Sequence, residues 1–160
     1  MSTITSLKAG DTTAGLGVSA TAQPALVSVR IRAADAVTSK GSALAANDLI
    51  AVATIPANTS VGNATYNVLT ADSGTTLTID LGTTSVADEF VDGNDCTATG
   101  VAAAGTNGVF SQRILYTTAD VLYLKVATAS SASDDWEIEV FFEVCDYTSK
   151  PRGRAAKDNP

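Results

Sequence analysis

Apolar residues recur at every second position in several short stretches of this chain, most regularly in residues 135–145. A period of two residues is that of a β-strand with one face in the core and the other in water. The segment is therefore predicted to be a strand. Its inward side chains are Trp136, Ile138, Val140, Phe142 and Val144, and its outward side chains include Asp135, Glu137, Glu139, Glu143 and Cys145.

Other stretches of the chain also have the character of strands. Residues 26–32 place Val27, Val29 and Ile31 on one face, and Ser28, Arg30 and Arg32 on the other. Residues 75–82 place Leu77, Ile79 and Leu81 inward, and Thr76, Thr78 and Asp80 outward. Residues 49–55 form an almost unbroken apolar run, which Pro56 should end because proline lacks a backbone N–H. Residues 66–70 are a weaker strand candidate, whereas residues 110–117 and 121–128 predict two further strands separated by residues 118–120.

The segments between these candidates are rich in turn residues. Residues 33–47 form a polar, Ala-rich connection with room for one helical turn, and residues 72–74 and 92–95 predict turns. About seven short strands without a long helix are typical of an all-β fold. We therefore expect a single antiparallel β-sandwich or jelly-roll-like domain.

Length and composition agree with one domain. A chain of 160 residues is expected to bury about 70% of the surface that its unfolded form exposes. Both ends lack apolar periodicity. The predicted organisation is therefore an extended N-terminal arm over residues 1–25, the sandwich over residues 26–148 and a basic C-terminal tail over residues 149–160.

Charge is distributed unevenly between the body and the C-terminal tail. Residues 1–149 hold six Lys and Arg against sixteen Asp and Glu, whereas residues 150–160 hold four against one. An acidic body argues against nucleic acid as a partner, because phosphate contacts need Lys and Arg. The tail is either a solvated end or an arm that docks on an acidic neighbour. Its cations are Lys150, Arg152, Arg154 and Lys157.

Candidate catalytic chemistry is sparse in this sequence. The chain has no histidine, so neither Cys96 nor Cys145 has the usual base that activates a thiol nucleophile. Acids on an outward strand face are usually solvated rather than paired across a cleft. We therefore predict no enzymatic activity, no catalytic residue and no cofactor.

One acidic cluster resembles a cation site in composition only. It consists of Asp88, Glu89, Asp92 and Asp95. Hard cations such as calcium need several oxygen ligands that converge within one loop, and this spacing does not match an EF-hand loop. We therefore predict no metal site.

The sequence also bears on the cellular compartment. The first residues lack the basic start and apolar core of a signal peptide, and no window approaches the roughly 18 apolar residues of a membrane span. Synthesis in a cytosol-like compartment without membrane contact is expected, with both cysteines remaining thiols.

Phe141 departs from the alternation of its strand. It is an aromatic residue on the acidic face, between Glu139 and Glu143. Either a loop covers it, or it is an anchor in a subunit interface, where exposed aromatic residues are enriched.

Residues 49–93 and 114–144 resemble small β-sandwich virion proteins of tailed bacteriophages. The similarity rests on an apolar strand ending in IPANT, a TLTIDLG strand, a DEFVDG turn and a late LYLKV…EVFFEV hairpin. It covers roughly residues 26–148. Within that group the chain looks most like a capsid decoration (cement) protein, similar to those of cyanophages.

The resemblance implies a function in the virion. A decoration protein of this kind forms a homotrimer on the outside of the head, binds the major capsid protein and bridges neighbouring copies of it. Two alternatives stay open. One is a receptor- or carbohydrate-binding module of a fibre, and the other is a head-to-tail or tail subunit.

Overall fold

The computed structural model of the protein describes residues 24–102 and 113–146, together with the backbone of residues 3–4. This part of the chain forms ten strands and one helix. In chain order they are β1 (Thr3–Ile4), β2 (Ala25–Arg32), α1 (Ala33–Lys40), β3 (Leu49–Ile55), β4 (Thr59–Thr70), β5 (Thr78–Thr83), β6 (Val91–Asp95), β7 (Gly100–Val101), β8 (Ile114–Tyr116), β9 (Asp120–Thr128) and β10 (Glu137–Asp146).

The strands form two sheets. Sheet A has the order β1-β3-β9-β5-β6, and sheet B has the order β2-β10-β4-β7, with β8 also paired to β4. All pairs are antiparallel except β1 with β3. The pairing is nested along the chain, since β5 pairs with β6, β4 with β8, β3 with β9 and β2 with β10. A ribbon paired in this way and folded over itself is a jelly roll, so the predicted all-β sandwich is confirmed.

The core lies between the sheets and contains the inward faces that the alternation predicts. The residues of β10 and its approach that were assigned inward are at most 2% exposed: Trp136, Ile138, Val140, Phe142 and Val144. Leu77, Ile79 and Leu81 from the other sheet are fully buried against them. The hydroxyl of Tyr66 in sheet B donates to the carbonyl oxygen of Ile79 in sheet A at 2.7 Å, which links the two layers.

Two elements are longer than predicted. The connection over residues 33–47 holds α1, about two turns long. It ends at Gly41, which has a left-handed φ of 77°. Strand β4 begins at Thr59 rather than at Tyr66. The Gly62-Asn63 dipeptide has turn composition, but Asn63 takes a φ of 49° at an irregularity in the pairing with β10, so the strand continues through it.

The prediction of a turn at residues 92–95 is wrong. These residues belong to β6, where an extra residue forms a bulge and Gly93 has a φ of 58°. The N–H of Gly93 donates to the carboxylate of Asp80 at 2.7 Å, and Nζ of Lys125 lies 3.0 Å from the other oxygen. Asp80 is therefore only 3% exposed, although the alternation predicts an outward, wet side chain.

The expected hairpin of β9 and β10 is also absent. β9 is in sheet A between β3 and β5, whereas β10 is in sheet B between β2 and β4. The physical reason is the nested pairing, which sends these consecutive strands to opposite sheets. Each of them pairs with strands that are distant in the sequence.

Candidate interaction surface

The outward face of sheet B carries most of the strongly exposed large apolar side chains in the described part of the chain. They are Leu26 on β2, Val101 on β7 and Leu115 on β8, which are 72%, 69% and 55% exposed. Each lies opposite an outward position of β10 or β4, and directly opposite residues of an antiparallel pair share a face. Val86, at 44%, is in the loop after β5 and not on this face.

Phe141 lies in the middle of the same face. β10 is flanked by β2 and β4, and Phe141 is opposite Ser28 on one side and Thr65 on the other. Its side chain is half-buried. We call the group formed by Leu26, Val101, Leu115 and Phe141 the sheet B patch.

Two of the three glutamates on this face, Glu137 and Glu143, are paired with arginines, which corrects the prediction of simply solvated acids. Nε and Nη2 of Arg30 donate to the two oxygens of Glu137 at 2.6 and 2.7 Å, and Nε of Arg32 donates at 2.7 Å. These hydrogen bonds lower the pKa of Glu137 to about 2. At the other end of the strand, Nη2 of Arg113 donates to Glu143 at 2.7 Å.

Four of the predicted interface residues cannot be placed against this surface. Lys150, Arg152, Arg154 and Lys157 lie outside the described residues, as does most of the predicted N-terminal arm. Their docking role stays a prediction.

The buried thiol of Cys96 is unsuited to nucleophilic chemistry. Burial raises its pKa to about 11, and the hydroxyl of Tyr66 lies 3.6 Å from its sulfur. A reactive cysteine needs the opposite shift, because the thiolate is the nucleophile. Cys145 is also buried, at 2% exposure.

The acidic residues near β6 have separate structural roles. Glu89 accepts hydrogen bonds from the hydroxyls of Thr83 at 3.1 Å and Tyr116 at 2.7 Å. Asp95 accepts from the N–H of Thr97 at 2.8 Å, which lowers its pKa. Among the residues with described placement, no group of three or more metal-ligating side chains converges.

A shallow cleft of about 370 Å³ opens at one end of sheet A. It is lined by Thr54, Thr84, Ser85, Thr118, Ala119, Asp120 and Val121. None of these is aromatic, and Trp136 is 1% exposed in the core, so neither offers a ring for stacking against a sugar. Across residues 24–102 and 113–146, no helix is long and apolar enough to cross a membrane.

Sequence reasoning missed three members of the sheet B patch. Leu26 is an even number of residues from Arg30 and Arg32, so the alternation of β2 already placed it on their outward face. Leu115 shares its face of the predicted strand 110–117 with Ser111, Arg113 and Thr117, which is a similar signal. Val101 carried none, because its strand is only two residues long and has too few positions to define an alternation.

Comparison with known proteins gives matches at the level of structure. No protein-family model matches the chain, and no curated protein does. A chain in the capsid of Ralstonia phage GP4 is 19% identical with a TM-score of 0.55, over 79% of this chain and 86% of that one. A chain in the acidic stable capsid of Helicobacter pylori bacteriophage KHP30 is 12% identical with a TM-score of 0.52, over 80% and 88%.

A chain of the cyanophage Pam1 capsid is also similar, at 16% identity and a TM-score of 0.49 over 78% of this chain and 84% of that one. The two likenesses with TM-scores above 0.5 cover most of both chains. The protein therefore has a jelly-roll fold that also occurs in chains of solved phage capsids.

Proposed function

We propose that this protein is a structural protein of a phage virion, and more narrowly a capsid decoration (cement) protein. It binds the outside of the head, bridges neighbouring major capsid proteins and assembles as a homotrimer. It has no catalytic activity, and neither nucleic acid nor a membrane is among its partners. Its synthesis takes place in the host cytoplasm and its final location is the capsid surface.

The observation that carries this proposal is the shared fold. The jelly roll of this chain corresponds over most of its length to chains that are part of solved phage capsids. The resemblance of residues 49–93 and 114–144 to virion β-sandwich proteins points the same way. The surface supports a binding role, since exposed apolar side chains gather on one sheet face.

Mass action explains how such a protein stabilises a head. A protein that binds the assembled lattice, but not its dissociated subunits, lowers the free energy of the assembled state. Three linked copies that each contact the lattice bind more tightly than one, because the second and third contacts are effectively intramolecular.

The experiment is rebinding to heads that lack the protein. Purified protein is mixed with such heads, bound copies per major capsid protein are counted after sedimentation, and head disassembly by heat is followed. Saturable binding to the outer surface with delayed disassembly is expected. Failure to bind heads, together with detection of the protein in fibres or tails of intact virions, would replace this proposal with one of the alternatives.

No observation on the described residues favours the carbohydrate-binding alternative. The single tryptophan is in the core, and the cleft at the end of sheet A has no aromatic wall. A glycan-binding fibre module is therefore an outcome of the experiment rather than a second proposal.

A further inference from the structure

We propose that the outward face of sheet B is the contact between copies of this chain, with the side chains of the sheet B patch as its apolar contacts. This inference rests on the proposed assembly into homo-oligomers and names the surface responsible. Its occupant is a second copy of the chain, with the same face turned toward a common symmetry axis.

The first argument is the exposure of the patch. Leu26, Val101 and Leu115 are more than half exposed, and Phe141 is half-buried between them. Leu26 and Leu115 are three strand spacings apart, about 14 Å, and the rows of Val101 and Leu115 are about 24 Å apart along β4. These apolar side chains therefore lie at separate points of an area of roughly 350 Å², with polar positions of β10 and β4 among them.

The second argument is charge. Among the described residues, this face carries three cations and three anions: Arg30, Arg32, Arg113, Glu137, Glu139 and Glu143. The remaining positions of residues 24–102 and 113–146 hold two Lys against twelve Asp and Glu. Two copies therefore repel each other when they approach by other faces, and the neutral face is where this repulsion is smallest.

The third argument concerns the pairing of these charges. Arg30 and Arg32 already bind Glu137, and Arg113 already binds Glu143 within one chain. Glu143 lies directly opposite Leu26, so these ion pairs lie among the apolar side chains and need no basic or acidic partner to neutralise them. An acidic or basic surface of the shell would gain no ion pairs from this face. The same neutral face of a second copy meets no net charge repulsion here.

The test compares substitutions at strongly exposed positions. Leu26→Asp and Leu115→Asp are made singly and combined in one variant, and Val86→Asp is the matched control of the single variants because it also adds one charge at an exposed apolar residue. Self-association of the free proteins is measured by sedimentation across a concentration series, and crosslinking measures it on heads. Thermal unfolding verifies that each variant is folded.

The double variant is expected to weaken self-association at least about tenfold, whereas Val86→Asp leaves it close to wild type. Self-association of wild type should also change little between about 50 and 500 mM salt, since the three cations and three anions of this face sum to zero net charge. A double variant that assembles like wild type overturns the inference. So does a wild-type protein that stays monomeric both free and on heads.

Failure of the inference can be separated from failure of the proposed function. A double variant that still self-associates but no longer binds heads identifies the face as a shell contact, which overturns the inference and keeps the function. If wild type self-associates but never binds heads, and the double variant loses self-association, the inference stands and the proposed function is overturned.

Discussion

Glu137 on β10 is bonded to two arginines of the neighbouring strand β2. The alternation predicts an outward carboxylate in water, and the structure adds the guanidinium groups of Arg30 and Arg32. Arg30 and Glu137 are 107 residues apart in the chain, so no local pattern reveals this contact. It follows from the pairing of β2 with β10.

The low pKa of Glu137 predicts a pH dependence of stability. Its pKa is about 2 in the folded protein, below its value near 4.3 in an unfolded chain. The contribution to the free energy of unfolding is therefore complete above about pH 5 and is lost as the pH falls toward 2. Glu137→Gln should be less stable than wild type at pH 6, and the difference in thermal unfolding should shrink toward pH 2.

Glu139→Gln removes a carboxylate from the same strand and face, and it serves as the matched control for Glu137→Gln. A stability difference between wild type and Glu137→Gln that stays constant from pH 6 to about pH 2 would contradict the role of the two arginines.

Phe141 and Phe142 are adjacent residues with opposite environments. Phe142 is 2% exposed in the core, whereas Phe141 is half-buried on the outward face. Phe142→Ala should lower the free energy of unfolding by about 3–5 kcal/mol through lost burial and a cavity. Phe141→Ala should cost clearly less. Urea denaturation of both variants measures the difference, and the reverse order would mean that the register of β10 is wrong by one residue.

At the scale of elements, β5 depends on a glycine for its contact with the following loop. A Cβ at Gly82 would lie 2.2 Å from the carbonyl oxygen of Val86 and 2.4 Å from the carbonyl carbon of Ala87. The same loop is fixed by the N–H of Thr83, which donates to the carbonyl of Val86 at 2.8 Å. The backbone can pass this close only because Gly82 has no side chain.

Gly82→Ala is therefore expected to cost about 2–3 kcal/mol, because backbone atoms must move to admit the methyl group. Gly41→Ala is the control, since Gly41 has a left-handed φ of 77° but open space around its Cα, and about 1–2 kcal/mol of backbone strain is expected there. Chemical denaturation compares the two. Equal or smaller loss at Gly82 would mean that the loop relaxes freely.

The sequence predicts an element when the contacts that fix it are local in the chain, and it fails when those contacts come from distant strands. The inward residues of β2, β5 and β10 follow from alternation, because burial on one face of a strand is a local property. β6 was hidden because its Asp-Gly-Asn-Asp composition is that of a turn, and the bond from Gly93 to Asp80 comes from another strand. The sheet B patch was missed because it is assembled from four strands by their pairing.

At the scale of the whole molecule, the ends carry a separate prediction. Replacing Lys150, Arg152, Arg154 and Lys157 by Ser should leave the melting temperature of the free protein nearly unchanged, whereas deleting residues 1–20 also removes the two-residue edge strand β1 and should lower it slightly. Both changes should weaken binding to heads, and wild-type binding should fall with salt because exposed charge pairs are screened over about 8–10 Å. Full-affinity decoration by both variants would show that the ends do not dock.

The central position of β10 in sheet B has a consequence for the order of folding. β10 is the last strand described along the chain, yet β2 and β4 meet only through it. During synthesis, sheet B therefore cannot form completely until residues 137–146 have left the ribosome. Until then, the edges of β2 and β4 that pair with β10 stay unpaired. Pairing across so many residues is slow, so sheet B should form late in folding.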